Sequence, residues 1–203
     1  SLHDALPISI ADITLPNLTM AGCVNVSDTA SANNCFKISA KLTDPAYSDP
    51  CWDTDSLTLT WVMTGATEGT GYGSVKDSTF QVGVTTVTYT VTDPDGNTAT
   101  CSFTVTIVDV TPPDIQITGC ENVTETAGPN NCYIIPANID NPSYSDACWD
   151  TDSLTLSWVM TGATEGSGTG SVANETFNIG VTTVIYTVAD PDGNTATCTF
   201  TVT

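Results

Sequence analysis
Polar and apolar residues alternate with a period of two along SLTLTWVM (residues 56–63), TTVTYTV (85–91) and CSFTVTIV (101–108). Such alternation sends every second side chain to one face, so each run predicts a strand buried on one side, and its Thr, Val and aromatic content suits a pleated surface. Gly, Pro, Asp and Asn bound the runs, and no segment keeps a helical period. DPDGN, at residues 93–97 and again at 190–194, lies between two such runs and carries the turn chemistry of a hairpin.

The recurrence of DPDGN is part of a larger duplication. An offset of 97 residues aligns Cys23 with Cys120, Cys35 with Cys132, Cys51 with Cys148 and Cys101 with Cys198 without a gap. Between Gly22 and Thr106, roughly 60 of 85 positions are identical in the second copy, which marks an internal repeat. The register continues leftward, so that Ile10 corresponds to Ile107 and Asp12 to Asp109. Short strands at regular spacing over about a hundred residues predict a two-sheet sandwich for each copy. The expected fold is therefore all-β: two tandem immunoglobulin-like β-sandwich domains stabilised by disulfides, one over residues 11–109 and one over 110–203. Residues 1–10 are set apart, as the tail of a preceding repeat or as a leader. SLHDALPI (1–8) departs from the repeat register and resembles a translated short-read sequencing adapter, so it is excluded from fold reasoning.

Charge then removes whole classes of partner. The formal net charge is −20, with three Lys and no Arg, so the chain has almost nothing with which to neutralise phosphates, and nucleic-acid binding is not expected. No run is long enough to span a membrane, so no membrane insertion is expected in this segment. The single His, His3, lies in the excluded segment, which leaves the remainder without the commonest general base. Eight Cys in a periodic set, with no C-x-x-C pair and no His beside them, predict disulfides rather than zinc, and hence an extracellular or cell-surface setting in an oxidising compartment.

FQVGVTTVTYTVTDPDGNTATCSFTVT (80–106) and FNIGVTTVIYTVADPDGNTATCTFTVT (177–203) resemble the signature of the hyalin repeat (HYR) family. The preceding Cys pair and the Asp-x-Cys at residues 49–51 are similar to versions in large bacterial surface proteins, although Trp52 and the acidic residues after Cys51 depart from many relatives. The resemblance implies an extracellular immunoglobulin-like module used in adhesion or as a spacer, and no catalytic residues. In a sandwich of this type the loops before the third and last strands share one end. The expected disulfides are then Cys23 with Cys35 and Cys51 with Cys101, repeated as Cys120 with Cys132 and Cys148 with Cys198, although four Cys allow three pairings per unit.

That pairing would gather Asp49, Asp53, Asp55, Asp93 and Asp95 at one end of the first copy, and Asp146, Asp150, Asp152, Asp190 and Asp192 in the second, with Asp109 and Asp114 of the linker nearby. Carboxylates without basic partners repel one another unless they are solvated or bridged by a hard cation, for which calcium is the natural candidate. The competing reading is a set of solvated turn aspartates, and otherwise no cofactor is expected. Trp52 and Trp149, each between a Cys and an acidic run, invite carbohydrate stacking, against covering a disulfide or packing on an adjoining subunit. Trp61 and Trp158, mid-strand, are expected in the core. Asn17, Asn25, Asn122 and Asn174 each open an Asn-x-Ser/Thr triplet and are candidate glycosylation sites.

Three function classes follow. A structural reading makes the chain a segment of an extracellular fibre, filament or surface stalk, with copies of itself as partner. An adhesin reading gives it glycans or another surface protein to bind. An enzyme is not expected, because no activated nucleophile or oxyanion-stabilising side chain is evident.

Overall fold
The computed structural model describes residues 10–19, 22–116 and 118–203; the segment 1–8 and His3 lie outside them. The protein is all-β, with short 3-10 turns such as Thr54–Ser56 and Thr151–Ser153. It divides into two units, one running to Ala30 and taking in Phe36–Val108, the other made of Ser31–Cys35 and Asp109–Thr203. The division falls one residue before the expected boundary, because the main chain of Asp109 is held by the second unit. The short segment Ser31–Cys35, although it is written in the first repeat, also goes with the second unit.

In the first unit, Val26–Thr29, Thr98–Val108, Gly83–Thr92, Thr58–Gly65 and Gly69–Tyr72 form one sheet in that order. All neighbours are antiparallel except Val26–Thr29, which runs parallel to the last strand with Val26 opposite Val105. Two short antiparallel pairs complete the sandwich, Asn17–Leu18 with Tyr47–Ser48 and Phe36–Ile38 with Thr79–Gln81. The second unit repeats the plan. Gly166–Thr169, Thr155–Gly162, Thr182–Ala189 and Thr195–Val202 form its sheet, and Val123 makes a parallel bridge to Val202. Asp114–Ile115 with Tyr144–Ser145 and Tyr133–Ile134 with Phe177–Asn178 are its short pairs.

The alternation in the sequence becomes the two faces of the sheet. Val87, Tyr89, Val91, Phe103, Val105 and Ile107 are buried, while the threonines between them are only partly covered. The Tyr89 hydroxyl accepts the Val75 N–H at 2.9 Å, so a large buried ring brings its polar tip to a backbone donor and leaves neither unpaired. Tyr186 does the same with Val172, also at 2.9 Å. Trp61 and Trp158 lie across Gly71 and Gly168, where a Cβ would run into the indole ring, which is why glycine occupies both positions. Trp158 is buried as expected, whereas Trp61 is only half-buried.

The two units differ where two of the three lysines, Lys37 and Lys41, cluster on Asp28. Burial pushes the Asp28 carboxyl up, but hydrogen bonds from the Lys37 ammonium, the Thr29 N–H and the Ser39 hydroxyl, with the nearby Lys37 charge, outweigh it and hold the group down at about 2. Lys37 sits 3.0 Å and Lys41 3.7 Å from the same oxygen. In the second unit Glu125 fills the equivalent position and accepts instead from Ala137 N and Asn138 N. A depressed carboxylate contributes stability above its unfolded value near 3.9, and that contribution is lost as pH falls through its folded value. Asp28→Asn should therefore cost the first unit about 2 kcal/mol at pH 7 and remove its acid-unfolding component between about pH 4 and 2. Denaturant unfolding of wild type and variant at pH 7 and pH 2.5 checks this, with the difference shrinking at the lower pH.

Candidate functional site
The DPDGN turn does more than reverse the chain. Asp93 Oδ1 accepts the Asn97 N–H at 2.8 Å and Oδ2 accepts the Asn97 side-chain amide at 2.7 Å, so Asn97 is fixed from both sides. The same amide donates to the Asp12 carbonyl at 3.0 Å, and Asp95 Oδ2 accepts the Asp12 N–H at 2.8 Å. The incoming linker residue is thus held at both its main-chain groups. The second unit repeats every bond: Asp190 holds Asn194 at 2.8 and 2.7 Å, Asn194 donates to the Asp109 carbonyl at 3.2 Å, and Asp192 accepts the Asp109 N–H at 2.9 Å. Asp93, Asp95, Asp190 and Asp192 were expected as cation ligands, but their carboxylates are engaged by amide donors. Buried Asp93 and Asp190 are satisfied by their own turn.

A smaller acidic pair stands beside this latch. Asp49 Oδ1 accepts the N–H groups of Cys51 and Trp52, at 2.7 and 3.2 Å, in an Asx turn, and Asp146 does the same for Cys148 and Trp149 at 2.7 and 3.1 Å. Asp12 Oδ1 accepts from Thr14, and Asp109 Oδ1 accepts the Thr111 N–H at 2.9 Å. The Thr14 hydroxyl and N–H hold the Asp12 carboxyl below the usual carboxylate range. In all four residues the other oxygen, Oδ2, is buried without a partner. Carboxylate oxygens of Asp109 and Asp146 and the sulfur of Cys148 lie within 4.8 Å of one another, as do those of Asp12, Asp49 and Cys51. Asp109 is only 1% exposed.

Of the aspartates expected to gather at this end, Asp49, Asp109 and Asp146 stand in these clusters. Asp53, Asp55, Asp150 and Asp152 are exposed in or beside the 3-10 turns, and exposed Asp114 accepts from Gln116 Nε2 at 2.5 Å. The partners come from Asp-x-Cys (Asp49 and Asp146) and, in the first unit, from Asp12. The repeat register that aligns Asp12 with Asp109 was the signal for that last residue. Two buried, orphaned carboxylate oxygens suit a hard cation. Calcium takes six to eight oxygens, so water or main-chain carbonyls would complete the sphere. The Cys148 sulfur is already committed to a disulfide and offers no thiolate.

The disulfides differ from the expected pairing. Cys23 bonds Cys101 and Cys120 bonds Cys198, while Cys35 bonds Cys148. Cys51 and Cys132 are free and exposed. The reason is the parallel strand: Val26 faces Val105, so Cys23, three residues earlier, falls beside Cys101 rather than turning back to Cys35. Asn25 Oδ1 accepts the Thr104 N–H at 2.9 Å and Asn122 Oδ1 the Thr201 N–H at 2.8 Å, fixing this alignment in both units. Asn17, Asn25, Asn122 and Asn174 are all exposed. Trp52 and Trp149 are half-buried against the hydrophobic cores, with their indole N–H groups buried and without a protein acceptor.

Tandem sandwiches, each pinned by a disulfide from the segment just before Val26 or Val123 to its last strand, define an extracellular repeat module. The HYR domain model matches residues 52–107 and 108–203, and the chain belongs to the HYR domain family. It is 33% identical over 150 residues to hyalin of Strongylocentrotus purpuratus, covering 68% of this chain and 11% of that protein. It is 29% identical over 152 residues to the serine-rich adhesin for platelets of Staphylococcus aureus strain MRSA252, covering 73% of this chain and 11% of that one. The chain thus spans about a tenth of these relatives. Among solved structures, the Drosophila N-cadherin EC1-4 crystal structure aligns with a TM-score of 0.43 at 12% identity, covering 93% of this chain and 49% of that one. Among the described residues, no helix is long and apolar enough to cross a membrane.

The observed pairing makes a stability prediction that the expected one does not. Replacing Cys120 and Cys198 by Ala should cost the second unit about 2 to 4 kcal/mol, because the bond closes a long loop. Cys51→Ser should change stability by less than about 0.5 kcal/mol. Denaturant titration of the two variants checks both, and a large loss in Cys51→Ser would restore the Cys51–Cys101 bond.

Proposed function
We propose that the chain is a structural segment of an extracellular fibre or surface stalk, in which tandem modules each grip the linker that enters them. The observation that carries this reading is the latch: the side chains of Asp93, Asp95 and Asn97 and the main chain of the incoming Asp12 recur as Asp190, Asp192, Asn194 and Asp109 with the same bonds. A linker held at both main-chain groups loses the freedom of a flexible tether, which suits a spacer that must keep its reach. Near-identical repeats also suit equivalent contacts between copies, and head-to-tail contacts of that kind propagate filaments. The partners are then copies of this chain, with no nucleic acid and no membrane insertion in this segment. The reading needs no catalytic residue.

A hard cation belongs to the same reading. Calcium at the Asp109–Asp146 pair, and at Asp12–Asp49, would give the orphaned oxygens a positive partner and tie the linker to the Asx turn of its own module. At a calcium concentration about a hundred times Kd, such a site would stabilise the fold by about 2.7 kcal/mol. Asp146→Asn should abolish the corresponding rise in melting temperature of the second unit. Calcium titration with no heat and no change in melting would remove the cation from the account.

The alternative is an adhesin module binding glycans or another surface protein, a setting that the adhesin among the relatives favours. Trp52 and Trp149, its natural contacts, are packed against the cores, which leaves little ring surface for sugar stacking. Electron microscopy of the protein at high concentration, with and without a chelator, separates the two. Regular filaments with these sandwiches in repeating contact are expected. Dispersed two-module particles that bind a glycan panel would establish the adhesin instead.

A further inference from the structure
Asp109 lies one residue past the strand Thr98–Val108, and residues 109–113 are not part of a strand. No sheet ladder therefore fixes where its carboxylate stands. The residue is nevertheless 1% exposed, its Oδ2 is buried without a partner, and one of its carboxylate oxygens lies within 4.8 Å of one of Asp146. Two carboxylates that close repel each other, so other groups must keep Asp109 in place.

Those groups can be named. Asn194 Nδ2 donates to the Asp109 carbonyl at 3.2 Å and to Asp190 Oδ2 at 2.7 Å, which uses both hydrogens of the amide. Asp190 Oδ1 also accepts the Asn194 N–H at 2.8 Å, so the turn clamps this residue before it reaches the linker. Asp192 Oδ2 accepts the Asp109 N–H at 2.9 Å. The Thr111 N–H, also at 2.9 Å, occupies Asp109 Oδ1 and so leaves Oδ2 as the open oxygen. On the other side, Asp146 Oδ1 is held by the N–H groups of Cys148 and Trp149. Asn194 is uncharged, and it acts on Asp109 through the main chain.

We propose that Asn194 is the positioning residue of a cation site at Asp109 and Asp146, setting its affinity by keeping Asp109 seated. The inference rests on the cation reading above and adds what controls the site. With Asp109 seated, a hard cation finds two carboxylate ligands already close together. With Asp109 released, the cation must first recover it, and the apparent affinity falls by the fraction of time that the residue is seated. The coupling is reciprocal: the factor by which the latch strengthens cation binding is the factor by which the cation strengthens the latch. Cation level thus sets how firmly a module holds its linker. The first unit has the same parts, with Asn97 on the Asp12 carbonyl at 3.0 Å and the Oδ2 atoms of Asp12 and Asp49 unpartnered, so Asn97 has the same role there.

The test is calcium titration by calorimetry of the full chain carrying Asp49→Asn, which silences the first site and leaves the second to report. Adding Asn194→Ala removes the donors without changing charge and should weaken calcium binding about 10- to 100-fold. Tyr186→Phe, which deletes a buried hydrogen bond of the same unit outside the latch, should leave the affinity unchanged. Asn194→Asp keeps an oxygen, adds a charge and removes the donors, so it should weaken binding as Asn194→Ala does. Hydrogen exchange at the Asp109 N–H gives a reading that a merely structural role would not move. Calcium should slow it by about the same factor, and should have no effect once Asp146→Asn is added. If Asn194→Ala does not fold, exchange in its parent decides the matter. Equal affinity in Asn194→Ala and its parent, or exchange indifferent to calcium, would overturn the inference and keep the cation. Binding by Asn194→Asp as tight as the parent would make the residue a ligand and overturn its positioning role. A folded parent that takes up no calcium would remove the cation reading, and this inference with it.

Discussion
The constraint on which each module depends is the parallel contact of an early segment, around Val26 in the first and Val123 in the second, with its last strand. Thr98–Val108 runs antiparallel to Gly83–Thr92 and parallel to Val26–Thr29, so it is a central strand rather than an edge. An unpaired last strand would leave its amide and carbonyl groups open to pairing with other chains. The parallel partner closes that edge, the Asn25 side chain sets the register, and the Cys23–Cys101 bond locks it. Phe103, Val105 and Ile107 point inward from the same strand and anchor the core. The DPDGN turn just before it then receives the linker, so fold, disulfide and latch all radiate from one strand.

A second feature is how so acidic a chain stays folded. With 23 acidic residues against three basic ones, ion pairing cannot neutralise the charge. The carboxylates that matter are instead paired with backbone and amide N–H donors: Asp49 and Asp146 in Asx turns, Asp93 and Asp190 on Asn97 and Asn194, Glu125 on Ala137 and Asn138. Such bonds to a charged acceptor are stronger than neutral ones and need no lysine. Asp28, with Lys37 and Lys41 beside it, and Asp44, with Lys76 at 3.3 Å, are the exceptions, and the second repeat replaces the Asp28 cluster with main-chain donors at the same place. Among the described residues, the buried carboxylate oxygens left over are the Oδ2 atoms of Asp12, Asp49, Asp109 and Asp146.

Much of this is legible in the sequence, and what is not has a physical cause. Period-two alternation reveals the long strands because each has one buried face; Val87, Tyr89 and Val91 stand inward as the pattern demands. The two-residue strands Asn17–Leu18 and Tyr47–Ser48 are too short to show a period. The disulfides are misread for a related reason: the parallel pairing of distant strands has no local signature, and counting pairings within one repeat excludes a bond from Cys35 to Cys148. Asp109 is found through the acidity of the linker, but most of the other aspartates in that group are exposed or already bonded. Sequence spacing reports which residues gather near a turn, not which oxygens remain free there.

Mass spectrometry of proteolytic peptides from the unreduced protein tests the central claim most directly, because the parallel contact with the last strand dictates which cysteines meet. The account predicts peptides joining Cys23 to Cys101 and Cys120 to Cys198, with Cys35 joined to Cys148. Peptides joining Cys23 to Cys35 and Cys51 to Cys101 would contradict the parallel strand, and with it the module described here.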